Sequence, residues 1–146
     1  MEQASPEDHR SAGDSEGLRL AELAAGPFVP IAESMPAMLW IGDPEGRCVY
    51  LNKALREFWG LTPADLPRFT WASTLLEEDA PALFATFRKA MASRQAFSVT
   101  ARYRRADGEI RVLRTIAEPR FAPNGEFLGM VGVNIDVGAQ EGAESH

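Results

Sequence analysis

The last third of the chain alternates between apolar and polar positions in a pattern that predicts β-strands. Three strand-like runs within residues 97–137 are separated by Asp107-Gly108 and Asn124-Gly125. An Asx-Gly pair readily adopts the positive φ angles of a tight hairpin turn. We therefore expect an antiparallel meander of three strands. One face of the first strand is apolar and consists of Phe97, Val99, Ala101 and Tyr103.

The last of these runs is apolar on both of its faces. One face carries Gly129, Val131, Val133, Ile135 and Val137. The opposite face carries Leu128, Met130, Gly132, Asn134 and Asp136. Such a strand is typical of a sheet that is covered on both sides. The helical middle of the chain supplies one covering layer, and an N-terminal helix, a partner chain or both supply the other.

A shorter pair of strands is predicted earlier in the chain, followed by a helix. Residues 38–41 and 48–51 are apolar runs on either side of the turn signal Asp43-Pro44-Glu45-Gly46. Asn52 is a good N-cap for a helix over residues 53–59. Gly60 follows this helix and Thr62-Pro63 begins another short one.

The longest helix is predicted over residues 80–93, with Asp79 as its N-cap. Its apolar positions recur at helical spacing and form one wide stripe. The pattern over residues 67–76 is ambiguous between helix and loop. The stripe consists of Ala80, Leu83, Phe84, Phe87, Ala90 and Met91.

The two ends of the chain differ from the 28–137 domain between them. Residues 17–27 predict a flanking helix with Leu20 and Leu23 on one side, closed by Gly-Pro. Residues 1–16 lack large apolar side chains and are expected to be disordered. Residues 138–146 are small and polar, and we expect a flexible tail there.

Charge and cysteine content restrict the partners and the compartment. The net charge of -6 argues against a nucleic-acid partner, because phosphate binding needs a basic surface. Cys48 is the only cysteine, so no internal disulfide can form, and a reducing cytoplasm is the expected location. No signal peptide and no apolar run of about 20 residues is present, which argues against direct membrane insertion.

The order of elements resembles a PAS domain with its C-terminal PAC segment, and residues 28–137 carry the match. The Asp43-x-x-Gly46 turn and Asn52 match the family's first hairpin and helix start. Glu78-Asp79 stands where the family usually has Pro-Asp or Asp-Asp before its long helix. The C-terminal half is matched by Arg105-Ala106-Asp107-Gly108 and Gly132-Val133-Asn134-Ile135-Asp136.

This resemblance implies an α+β fold: a five-stranded antiparallel sheet in the order 2-1-5-4-3, with helices on one face that enclose a pocket. Asn134 falls where flavin-binding relatives carry an amide, although it could instead pair with a neighbouring side chain. The pocket is either occupied by a ligand or packed shut by its own side chains. The candidate pocket residues are Met38, Trp40, Phe58, Trp71, Phe84, Phe87, Met130 and Asn134.

The sequence limits the cofactors that such a pocket can bind. Haem in PAS sensors usually needs an axial histidine, and His9 and His146 both lie in the tails, which argues against haem. The covalent flavin photo-adduct needs a cysteine near residues 67–76, and none is there, which excludes that chemistry. Non-covalent flavin remains open. Cys48, on a strand, is expected to be a small buried apolar residue.

PAS domains sense small ligands, cofactors or redox state, dimerise, and regulate proteins such as histidine kinases. This sequence has no output module, so we expect a stand-alone PAS protein or an excised sensor. Asp136-Val137-Gly138 replaces the Asp-x-Thr that often caps an exit helix, which favours an adaptor. The expected contacts with a second copy or a partner are Leu20, Leu23, Val131, Val133 and Ile135.

Three functions follow as hypotheses, of which the first is our main one. It is a non-catalytic signalling adaptor that dimerises and contacts a two-component regulator such as a histidine kinase. The second is a ligand sensor built around Trp40, Trp71 and Asn134. The third is a small cone-shaped α+β enzyme, which would need a buried acid or base. The sequence offers no Ser-His-Asp set and no metal-ligand spacing for it.

Overall fold

The structure is a computed structural model that describes residues 28–139. The chain divides into two compact units, residues 1–34 and residues 35–146. Within the first unit the described part is helix α1, Phe28–Ser34. The predictions for residues 1–27, including Leu20 and Leu23, and for residues 140–146 lie outside the described residues.

The second unit contains a five-stranded sheet in the order β2-β1-β5-β4-β3, and every neighbouring pair is antiparallel. This confirms the strand order expected from the resemblance. β5 extends two residues beyond the expected boundary at residue 137. The strands are β1 (Met38–Gly42), β2 (Cys48–Leu51), β3 (Phe97–Arg104), β4 (Ile110–Phe121) and β5 (Phe127–Ala139).

The helical middle of the chain contains two α-helices and three short 3₁₀ helices. α2 spans Lys53–Trp59 and α3 spans Ala80–Ser93. The short helix predicted to begin at Thr62-Pro63 is present as a 3₁₀ helix. The ambiguous residues 67–76 also contain a 3₁₀ turn, whose three-residue repeat leaves no α-helical pattern in the sequence. The three 3₁₀ segments are Pro63–Arg68, Trp71–Thr74 and Glu77–Asp79.

The three hairpins of the sheet share one loop geometry. In the loops that start at Asp43, Arg105 and Ala122, the first residue's N–H donates to the carbonyl four residues later. The fourth residue of each loop is a glycine with φ near +90° that donates back to the first carbonyl. The glycine of each Asx-Gly pair therefore takes the positive φ while the Asx does not, as in three-residue loops closed by a glycine bulge.

Asn52 joins the first hairpin to the helical layer, as its predicted role as an N-cap requires. Its Oδ1 accepts hydrogen bonds from the backbone N–H of Leu55 (3.2 Å) and of Leu39 (3.0 Å). Its Nδ2 donates to the carbonyl of Ala37 at 2.8 Å. The side chain is fully buried, so one amide fixes the start of α2 against β1. Gly60 ends the helix in the left-handed conformation, as predicted.

Asp79 is the N-cap residue of α3, as predicted, but its side chain makes no capping hydrogen bond. Its carboxylate instead accepts hydrogen bonds from the backbone N–H of Arg102 at 2.7 Å and from the Arg102 guanidinium at 2.7 and 3.0 Å. Three bonds, two of them from a cation, outweigh the single bond of a cap. Leu75 pairs with Tyr103 next to this contact. The chain before α3 is thereby held along the edge of β3.

Candidate functional site

A cavity lies between the inner face of the sheet and helices α2 and α3. The space open to the centres of water-sized molecules inside it is about 60 Å³. One water needs roughly 10–15 Å³ on this measure, so there is room for a few waters or one small molecule. Most of the wall is apolar. Its aromatic side chains are Trp40, Trp59, Trp71, Phe87, Phe97 and Tyr103.

Trp40 can occupy its position in the cavity wall because the residue beside it on the neighbouring strand β5 is Gly132. The two residues are direct partners in the pairing of β1 with β5. A Cβ atom at position 132 would lie 2.6 Å from the Trp40 ring atom Cε2, far inside van der Waals contact. The absence of a side chain at Gly132 therefore makes room for the indole that forms part of the cavity wall.

A polar network crosses three strands at one side of the cavity. The Asn134 Oδ1 on β5 accepts hydrogen bonds from Trp40 Nε1 at 3.1 Å and from Thr115 Oγ1 at 2.9 Å. Tyr103 on β3 lies close to Thr115. Burial raises the pKa of Tyr103 to about 12, so its phenol stays protonated. Asn134 thus pairs with neighbouring side chains, the second of the two roles considered for it.

One polar atom in this region lacks a partner. Trp59 Nε1 is buried and has no hydrogen-bond acceptor among the described residues. The Trp59 ring belongs to the cavity wall and packs against Phe69 at 5.2 Å and Tyr103 at 6.1 Å between ring centroids. An unpaired buried donor is costly, and native structures usually satisfy it with protein, water or ligand.

The ionisable groups of the wall are few, and they are already engaged. The side chain of Asp43 is only 2% exposed. Its Oδ1 accepts from the N–H groups of Glu45 and Arg47, and its Oδ2 accepts from Arg47 Nε at 2.9 Å. Cys48 also borders the cavity, and burial raises its pKa to about 12, with the Asp43 charge contributing. The thiol is therefore protonated and a poor nucleophile at neutral pH.

Basic side chains are missing from the part of the wall that the structure describes. Within residues 28–139, no lysine, arginine or histidine lines the cavity. The same part of the chain contains no group of three or more His, Cys, Asp or Glu that could hold a metal ion. It also contains no helix that is both long and apolar enough to span a bilayer.

The structure brings five of the eight candidate pocket residues into the wall. They are Trp40, Trp71, Phe87, Met130 and Asn134. Met38, Phe58 and Phe84 do not line the cavity. Met38 and Phe58 pack in the core, and Phe84 lies behind Trp71 with ring centroids 5.7 Å apart.

The helix faces explain why Phe58 and Phe84 do not line the cavity. α2 presents Leu55 and Trp59 to the cavity, and α3 presents Leu83, Phe87 and Met91. In both sets the positions are four residues apart and lie on one face of the helix. Phe58 and Phe84 are each adjacent in sequence to a wall residue and therefore point away from that face. The sequence reasoning missed Trp59, which lies four residues after Leu55 in a helix too short for hydrophobic periodicity alone to show its cavity-facing side. It also missed Thr115, Tyr103 and Cys48 as wall residues.

The candidate interface residues on β5 lie on the outer face of the sheet, opposite the helices. Val131 and Val133 are half-buried, whereas Ile135 is 44% exposed. Val137 farther along β5 is 52% exposed.

Comparison with known proteins identifies the family. A sequence model of the PAS fold matches residues 48–134, which is more than half of the chain. The chain belongs to the PAS family. A curated relative, the uncharacterized protein y4lL of Sinorhizobium fredii, is 30% identical over 117 residues. That match covers 80% of this chain but 14% of the relative, so the PAS domain here corresponds to a small part of a much longer protein.

Solved PAS structures share the fold at low sequence identity. The PAS domain of a Colwellia psychrerythraea protein has a TM-score of 0.65 and 16% identity, covering 82% of this chain and 98% of that one. A sensory box histidine kinase/response regulator from Burkholderia thailandensis has a TM-score of 0.59 and 22% identity, covering 88% and 89%. A LOV protein of Rhodobacter sphaeroides has a TM-score of 0.66 and 16% identity, covering 80% and 68%.

A flavin does not fit the cavity of this PAS domain. The cavity of about 60 Å³ is smaller than the cavity of about 150 Å³ that holds benzene in an engineered protein. The three fused rings of a flavin are larger than benzene. The phosphate of a flavin nucleotide would also meet no basic side chain among the described wall residues. Cys48, the only cysteine in the chain, stands on β2.

Proposed function

We propose that this PAS domain is a non-catalytic signalling module that forms a homodimer through the outer face of its sheet and contacts a two-component regulator such as a histidine kinase. The observation that carries this proposal is the apolar outer face of β5. Ile135 and Val137 are 44% and 52% exposed there. Exposed apolar side chains grouped on one face favour a protein contact.

The register of the sheet makes this face continuous across three strands. Val133 on β5 pairs with Leu39 on β1 and with Ile116 on β4. These three side chains form an apolar row at the middle of the sheet, in which Leu39 is already buried while Val133 and Ile116 are half-buried and can be covered further. Ile135 is next to this row and pairs with Arg114. A second copy related by a two-fold axis could cover the same row with its own, as symmetric dimers do.

The choice of partner rests on similarity. The solved neighbours include a sensory box histidine kinase/response regulator. The long relative of which this chain matches 14% indicates that related PAS domains occur within larger proteins. We place the module in the cytoplasm because its single cysteine suits a reducing compartment.

Charge placed on the apolar row tests the dimer. In Val133→Glu, a carboxylate would be buried at the contact, so we expect sedimentation of the full chain to change from dimer to monomer. Ile135→Glu, at an already exposed position, should weaken the dimer with less risk to folding. Thr100→Glu is the matched control, because Thr100 is an exposed polar position on the same face at the edge strand β3. Unchanged sedimentation of both β5 variants would refute the interface.

A second function, ligand sensing, is favoured by the cavity between the sheet and the helices. Asn134 in the polar network lies between Val133 and Ile135 on β5, and neighbouring strand residues point to opposite faces. A ligand that disturbed the network could therefore change the outer face. A bound compound seen in native and lost in denaturing mass spectra would support sensing. An enzyme is less well supported, because Asp43, the carboxyl group of the described wall, is already bonded to Arg47 and two N–H groups.

A further inference from the structure

The outer face of the sheet carries two opposite charges placed evenly on either side of its apolar row. This inference rests on the homodimer proposed above. We propose that the second copy covers this face in the antiparallel orientation, with the two-fold axis along the row, so that Arg114 of each copy pairs with Glu118 of the other. These two reciprocal ion pairs select the orientation and make the chain recognise its own copy.

Both charged side chains lie on the outer face of β4. Neighbouring strand residues point to opposite faces. Thr115 lines the cavity on the inner face, and Ala117 is completely buried. Arg114, Ile116 and Glu118 therefore share the outer face, where both charged residues are exposed and Ile116 is half-buried. Each charged residue lies two positions from Ile116, which is about 7 Å along the strand.

Neither charge is neutralised within the part of the chain that the structure describes. Arg114 Nε donates to the hydroxyl of Ser98 at 3.2 Å, and this partner is neutral. The ion pairs found within residues 28–139 involve other side chains. Ser98 on β3 is the register partner of Ile116, so this hydrogen bond holds the guanidinium beside the row. Both charges are therefore available to a second protein surface.

The symmetry of the dimer decides which charges meet. Two sheets that face each other can be related by a two-fold axis that lies between them and parallel to both. An axis along the row reverses the direction of every strand, so β4 lies over β4 of the second copy. Each Arg114 then lies over a Glu118. Packed sheets are about 10 Å apart, a gap that these two long side chains span together.

An axis along the strands is less favourable. Placed over β4, it would set Arg114 against Arg114 and Glu118 against Glu118. Placed between β4 and β5, it would set Arg114 against Ile135, its register partner, and remove the charge from water without a counter-ion. In the antiparallel orientation each charge meets its opposite. The sheets can close over β4 and open toward β1, where Leu39 is already buried.

Charge reversal tests this orientation. Arg114→Glu sets a carboxylate against a carboxylate in both reciprocal contacts, and Glu118→Arg sets a guanidinium against a guanidinium. We expect the dimer dissociation constant of either variant to rise about tenfold in sedimentation of the full chain at low salt. The double variant Arg114→Glu/Glu118→Arg restores both pairs and should dimerise like the wild type. Arg104→Glu is the matched control, since it makes the same change of charge at an exposed position near the end of β3.

A mixture of the two single variants, one of them ¹⁵N-labelled, gives a second readout. Each contact of the mixed dimer joins a guanidinium to a carboxylate. Native mass spectra should therefore show mostly the mixed dimer, and little of either variant paired with itself.

Three outcomes would overturn the inference: single variants that dimerise as well as the wild type, a double variant that does not recover, or an equal loss in Arg104→Glu. If Val133→Glu still abolishes the dimer in that case, the proposed homodimer stands and this orientation alone fails. A monomeric wild-type chain would refute the homodimer and the orientation together.

Discussion

Replacing Gly132 by alanine tests how the sheet creates room for the wall of the cavity. The new Cβ atom would lie 2.6 Å from Trp40 Cε2 and 3.0 Å from the Ile116 carbonyl oxygen. Favourable contacts lie at roughly 3.5–4.0 Å, so the indole must move by about 1 Å or more. Overpacking of this kind costs about 1–3 kcal/mol of unfolding free energy. For a domain of this size, that corresponds to a loss of about 4–12 °C in Tm.

Gly42→Ala is the matched control for this substitution. Gly42 is also a strand glycine near Trp40, but its Cβ would meet the nearest atoms at 3.4 and 3.6 Å, which is ordinary contact. We expect a change of less than about 0.5 kcal/mol, or a small gain from the reduced freedom of the unfolded chain. Urea and thermal unfolding followed by tryptophan emission measure both variants. Equal stabilities of the Gly132 and Gly42 variants would refute the packing argument.

Three further substitutions test the polar contacts. Asn134→Leu leaves Trp40 Nε1 and Thr115 Oγ1 without their acceptor, so it should lower the free energy of unfolding in urea by about 2–4 kcal/mol. Thr115→Val removes one donor and should lower it by only about 1 kcal/mol. Equal small losses in the two variants would contradict the network. The hydrogen bonds from Arg102 lower the pKa of the Asp79 carboxyl below its ordinary value of 3.8. This contact therefore stabilises the fold fully above pH 3.8, and its contribution is lost as the pH falls through the lowered pKa. Asp79→Asn should lose about 1 kcal/mol at neutral pH and show a weaker dependence of stability on acid, and an unchanged pH profile of unfolding would argue against the contact.

Local signals in the sequence predicted the sheet and its hairpins. Asp43, Gly108 and Gly125 lie at the loops where they were expected, because turn preferences are set by the residue itself. Asn52 and Gly60 at the ends of α2 were predicted for the same reason. The strand order came from the resemblance to the family, since alternation alone does not fix which strands are neighbours.

Features that depend on tertiary contacts were harder to predict. The cap preference of Asp79 was overridden by Arg102, which lies 23 residues away in the sequence. The 3₁₀ turns gave no helical periodicity, so the segment that contributes Trp71 to the cavity stayed ambiguous. α2 has only seven residues, which is too short for its cavity-facing side to be read from hydrophobic periodicity alone, and Trp59 was missed for that reason.

The measurement that tests the account most directly is native mass spectrometry of the purified full chain beside its Val133→Glu and Thr100→Glu variants. We expect twice the chain mass for the wild type and the Thr100 variant, and a monomer for the Val133 variant. Wild-type chain that is monomeric at all concentrations, or a Val133 variant that dimerises as well as the wild type, would contradict the proposed signalling dimer.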